Sequence, residues 1–146
     1  MSIYYLLEPA VLPLLFAIWI FFDSHQRNND RGKWTLGAFF LAPFVVPNYF
    51  AKRNLKEGEV RKGGTNWYRC KFFALYWTLL MLHFTFFSRL SELRLIQPIR
   101  EQALEWFGIL MLWIIPAGGV LLLGAFLKNP SKIEKGPTGS LAENKI

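Results

Sequence analysis

Apolar residues along this chain gather into four runs, Ile3 to Phe22, Trp34 to Phe50, Phe72 to Phe87 and Trp106 to Leu127, separated by polar stretches. Phe107 to Leu127 contains no charged residue, longer than a core helix needs and right for a bilayer span. The second and third runs are short for a hydrocarbon core of about 30 Å. Trp34, Tyr49, Trp67, Tyr68 and Trp106 stand at their ends, where interfacial aromatics extend a span. The pattern predicts an all-α integral membrane protein. Four transmembrane helices form an up-down bundle over residues 1–127, followed by a polar flexible tail over 128–146.

The segment SRLSELRLIQPIREQALEW sets Leu90, Leu93 and Ile96 at helical spacing against Arg89, Glu92 and Arg100, and predicts a short interfacial helix before the last span. The first run has no Lys or Arg before it, carries Glu8, Pro9 and Pro13, and lacks a small-residue cleavage site. It therefore reads as a retained anchor rather than a signal peptide.

Composition agrees with this class: 53% of residues are apolar, 17% are aromatic and the mean hydropathy is +0.23. Disordered, collagenous and disulfide-stapled chains are excluded. The net charge of +7 would suggest nucleic acid in a soluble domain. Here the basic residues sit between apolar runs, where they read as topology signals and contacts to anionic phospholipid, and no nucleic-acid partner is expected. Loop two (Lys52, Arg53, Lys56, Arg61, Lys62, Arg69, Lys71) and the tail (Lys128, Lys132, Lys135, Lys145) carry more Lys and Arg than loops one and three. The positive-inside rule then places loop two and both termini in the cytoplasm, for which a bacterial inner membrane is the expected setting. A re-entrant second segment would reverse the later half. Cys70 is the only cysteine, so no intrachain disulfide or thiolate zinc site can form, and no metal is expected.

Four groups of residues are candidates for chemistry. Pro9, Pro13, Pro43 and Pro47 remove helical hydrogen bonds, and in a hairpin Pro9 and Pro47 share the cytoplasmic level with Glu8, Asn48, Tyr49, Lys52 and Arg53. Freed carbonyls and an acid there could hold a cation or headgroup. The structural reading is the stronger one: the prolines start and stop helices, and Glu8 pairs with Lys52 or Arg53. The second group, Asp23, His25, His83 and Arg89, belongs to the outer level, with an Asp23–His83 hydrogen bond if the first and third spans are neighbours. No cofactor is expected; haem or quinone at His83 is the alternative, against a buried histidine bonded to a neighbouring helix. The third group, Lys56, Arg61, Lys62 and Arg69, suits lipid or partner docking, although topology alone explains it. In the last span Pro116, Gly118 and Gly119 form a surface for close helix packing, within this bundle in preference to another subunit.

The stretch from Asp23 to Arg53, with an acid after one span, Trp at the next, then P-x-x-x-P-x-Y and basic residues, resembles the hairpin modules of small bacterial membrane proteins. It covers about a fifth of the chain and implies no particular activity. No Ser/His/acid or H-E-x-x-H motif is present, and the Gly63-Gly64 pair lacks the context of a phosphate loop. The expected role is a structural or accessory subunit of a larger membrane complex, with other membrane subunits as partners. An ion-conducting or transport homo-oligomer is the alternative, and a redox-carrier subunit the third.

Overall fold

Pro43 decides the path of the chain. It has no N–H to donate to Phe39, and its ring would clash with that carbonyl in a continuous helix. The second apolar run therefore breaks at Leu41 (φ −129°, ψ 39°) into two short helices. Gly37 sits at the corner, where a Cβ would come within 3.1 Å of Val45, so its lack of a side chain lets the returning arm lie against the incoming one.

The computed structural model describes residues 4–92 and 99–137, with side chains for 10–86 and 104–137. It is mostly helical. The order is α1 (Tyr4–Gln26), α2 (Arg31–Phe40), α3 (Ala42–Lys52), β1 (Val60–Gly63), α4 (Gly64–Glu92), α5 (Ile99–Phe126) and β2 (Asn129–Lys135). α1 closes through Asn28 in the left-handed region (φ +52°), with the Asn29 N–H donating to the Ser24 carbonyl. Asp30 then caps α2, accepting from the Lys33 N–H.

Ala17, Ile20, Ala38, Ala42, Val46, Tyr49 and Tyr76 form the buried cluster, drawn from α1, α2, α3 and α4. Its alanines let the helices approach closely, and the gaps are closed by rings: Trp34 meets Tyr49 edge-on at 5.4 Å, and Phe16 meets Tyr76 at 5.3 Å. α4 and α5 run antiparallel. The Trp77 Nε1–H donates to the Leu112 carbonyl at one level, and Cys70 meets Gly124 at another.

The four-span bundle is not what forms. Among the described residues one helix, α5 over Leu104–Phe126, is long and apolar enough to cross a membrane. Only 11% of its apolar window is buried, unlike the core helix of a soluble protein. α2 and α3 have 10 and 11 residues, about 15 Å each at 1.5 Å per residue, half a bilayer core. α4 is long enough, but Arg69 and Lys71 in its early turns and Thr78, His83 and Thr85 further on dilute its apolarity. In α1 the described apolar stretch is the shorter Ala10–Gln26.

Two further expectations change. Residues 129–135, read as flexible tail, form β2, which pairs antiparallel with β1, so the protein is not all-α. Ser88 to Glu92 continue α4 rather than joining an interfacial helix; residues 93–98 of that expected helix lie outside the described residues.

Candidate functional site

Because α2 enters and α3 returns, the ends of α1 and α3, loop two, the start of α4 and β2 all meet at one end of the molecule. Basic residues crowd this face. Its centre is Asp23, in the last turn of α1, whose side chain is 10% exposed. The Tyr49 hydroxyl donates to it at 2.7 Å, the Arg27 Nε–H at 2.9 Å, and Arg53 at 3.3 Å.

Arg27, its side chain 4% exposed, joins three segments. Its Nε serves Asp23, and its two terminal nitrogens grip Glu59 of loop two at 2.6 and 2.8 Å. One of them also donates to the Asn54 carbonyl at 2.8 Å, while the Asn54 amide donates back to the Arg27 carbonyl at 2.9 Å. The planar fork suits this bidentate geometry. Asp23, Glu59, Arg27 and Arg53 balance one another in charge, which is how ionised groups tolerate burial.

Burial works against the Asp23 carboxylate. The hydrogen bonds from Tyr49 and Arg27 and the charges of Arg27 and Arg53 outweigh it and hold its pKa below the usual value. The Arg27 hydrogen bond brings Glu59 down from 4.5 to about 2. Both carboxylates therefore stabilise the fold above their unfolded pKa values, and that contribution is lost as pH falls through the folded ones. Loop two should loosen as pH falls from 4.5 to about 2. Amide hydrogen exchange at Asn54 to Glu59 checks this: protection unchanged between about pH 5 and about pH 1.5, values chosen to bracket the titration, would count against it.

A second arginine anchors the β-ribbon. Arg61, 5% exposed, donates to Glu134 of β2 at 2.9 Å and to the Arg53 and Phe50 carbonyls at 2.9 and 3.4 Å. It thus serves the unpaired carbonyl end of α3 and clamps β2 at once. Its guanidinium lies 5.5 Å from the Tyr68 ring.

Beside Arg61 is a cavity of about 810 Å³ lined by Lys52, Arg61, Gly63, Gly64, Thr65, Asn66, Arg69 and Lys132 among others, with no acidic residue in its wall among the described residues. Gly63 and Gly64 have φ of +95° and +83°, values that side chains rarely adopt, and they turn the chain from β1 directly into α4.

The sequence-derived groups are redistributed. Asp23 of the outer group and Tyr49 and Arg53 of the inner group form one cluster. Pro9 lies fourteen residues before Asp23 on α1, about 21 Å along the axis, so Pro9 and Pro47 do not share a level. Pro43 turns the chain, Pro47 lies buried inside α3, and the Asn48 amide donates to the Phe44 carbonyl. The side chains of Glu8 and Arg89 lie outside the described residues.

His25 is exposed and meets the Arg31 side chain. His83 is nineteen residues into α4, about 28 Å from its start, beside Phe84. The two histidines are not brought together, and Asp23 is committed to Tyr49 and the arginines rather than to His83. Among the described residues no group of three or more His, Cys, Asp or Glu gathers to hold a metal. Of the docking set, Arg61 is buried, Arg69 lines the cavity, Lys62 is exposed, and Lys56 donates to Gln26 at 2.6 Å.

A Cβ on Gly118 or Gly119 would meet nothing within 4 Å, so neither is a close contact among the described residues. Gly124 does: a Cβ there would stand 2.5 Å from that of Cys70. Sequence reasoning missed Gly124, Arg27 and Glu59. The spacing of Asp23 and Arg27, four apart on a helix, was the one available signal. Compared with family models, curated proteins and solved structures, the chain matches none.

Proposed function

We propose that this chain is a membrane protein, held in the bilayer by α5, that serves as a structural or accessory subunit of a larger membrane complex. The observation that carries the reading is the outer face of α5. Gly108, Leu112, Ile115, Gly119, Leu122 and Phe126 follow one another at steps of three and four, and all six are exposed. An apolar stripe with glycines in it lets the backbone of a second helix approach closely, which is how helices associate in lipid. The ion-paired acids favour a supporting role over catalysis, since Asp23 and Glu59 are spent on Arg27 and Arg53.

The distribution of charge supports an orientation. Loop one, loop two and β2 share the basic face, which leaves Arg89 in α4 and Arg100 in α5 towards the other end of these helices. On this reading the positive-inside rule puts the basic face in the cytoplasm.

The test is native mass spectrometry of the tagged chain purified from its own membrane in mild detergent. Unrelated subunits at fixed stoichiometry are expected, and Gly119→Leu should release them while leaving the helical content of the chain unchanged. A particle containing this chain alone, or copies of it alone, would refute the accessory role.

A further inference from the structure

The basic cavity and an apolar groove meet at one residue. Arg69 lines both. The groove, about 240 Å³, is walled by Pro43, Phe44 and Pro47 of α3, Phe73 of α4 and Val120 of α5. Pro43 stands nine residues before Lys52 on α3, about 13 Å deeper along its axis, so the groove descends from the basic face between the helices.

The chemistry of the cavity suits a phosphate. Lys52, Arg69 and Lys132 supply positive charge, and the adjacent acid Glu134 is engaged by Arg61 and Lys132. The first turn of α4 forms part of the wall, and N–H groups at a helix start have no partner within the helix. Independently, the Nε–H groups of Arg61 and Arg69 are buried without a hydrogen-bond partner among the described residues. Arg61 is itself 5% exposed, so water does not readily serve that donor.

We propose that this pair of sites binds one anionic glycerophospholipid, its phosphate in the basic cavity and an acyl chain along the Pro43–Phe73 groove. Charge selects the headgroup, and the adjoining groove selects a lipid over a free anion. Arg69 spans the boundary between the two and is the residue that couples them. The fork of Arg61 is already spent on Glu134 and the α3 carbonyls, so its Nε–H is the part left for the phosphate. The inference rests on the membrane reading above.

The test uses the full chain in nanodiscs of phosphatidylcholine with and without phosphatidylglycerol, followed by native mass spectrometry of retained lipid. Retention of one phosphatidylglycerol per chain is expected, with a preference of about tenfold over phosphatidylcholine. Arg69→Gln should remove most of that preference, and Lys132→Gln, at a residue with a 54% exposed side chain, should reduce it without touching the fold. Circular dichroism verifies folding of both. Failure to enter either nanodisc would refute the membrane reading itself. Entry into both without selective retention, or retention indifferent to Arg69 and Lys132, would overturn the lipid site alone. Displacement of the lipid by millimolar inorganic phosphate would show that a free anion, not a lipid, is the ligand.

Discussion

Replacing Asp23 by Ala is expected to destabilise the folded chain by about 3 kcal/mol, the cost of breaking a buried ion pair by removing one partner. Arg27 is 4% exposed and would keep Glu59 but lose the carboxylate on its Nε, while the Tyr49 hydroxyl would lose its acceptor. Water cannot fully replace either, because Tyr49 lies fully buried beneath Trp34. Tyr49→Phe keeps the ring packing and removes one charge-assisted hydrogen bond, so it should cost about 1.5 to 3 kcal/mol. Unfolding of each purified variant in one detergent, followed by circular dichroism, gives the comparison. An Asp23→Ala protein as stable as the parent would mean that the α1, α3 and loop-two junction is held by the apolar cluster alone.

The second large effect is at Gly124. A Cβ there would lie 2.5 Å from the Cys70 Cβ, with the Trp67 ring at 3.2 Å, so α5 must move away from α4. Gly124→Ala should therefore lose about 1 to 3 kcal/mol despite the better helix propensity of alanine. Gly118→Ala and Gly119→Ala meet nothing and should gain up to about 1 kcal/mol in the isolated chain. Cys70→Gly removes the opposing Cβ, and a double-mutant cycle with Gly124→Ala should recover the interaction as a coupling term. A Gly124→Ala protein that gains stability as Gly119→Ala does would show that α4 and α5 are not in close contact at this level.

These two sites also show how far the sequence could be read. Gly118 and Gly119 look like a packing surface in one dimension, yet a Cβ on either meets nothing within 4 Å among the described residues. Gly124 looks unremarkable among Leu and Ala, yet it faces Cys70 across an antiparallel pair, a relation set by the register of two long helices. Pro43 was legible as a break in helical hydrogen bonding. Whether the chain continues in the same direction beyond such a break or doubles back depends on what the second arm packs against. Here Gly37 accepts Val45 and Ala42 joins Ala17 and Ala38 in the core, so α3 returns. That reversal joins Asp23 with Tyr49 and Arg53 and carries the start of α1 away from loop two. Lys128 onward is rich in Pro, Gly and charge, as a flexible segment would be; pairing to β1 and the Arg61–Glu134 ion pair give residues 129–135 their partners.

By itself, then, the sequence determined a mostly helical chain, an apolar α5 fit to cross a bilayer, and a concentration of basic residues between the apolar runs. These follow from local composition and period, which need no partner to be read. The tertiary structure decided which ends meet, which acids and arginines share a cluster, which glycine is a contact and which are open. Those properties depend on the direction of each segment relative to the others, and a single proline-initiated reversal at Leu41 and Pro43 changes the side on which every later residue lies.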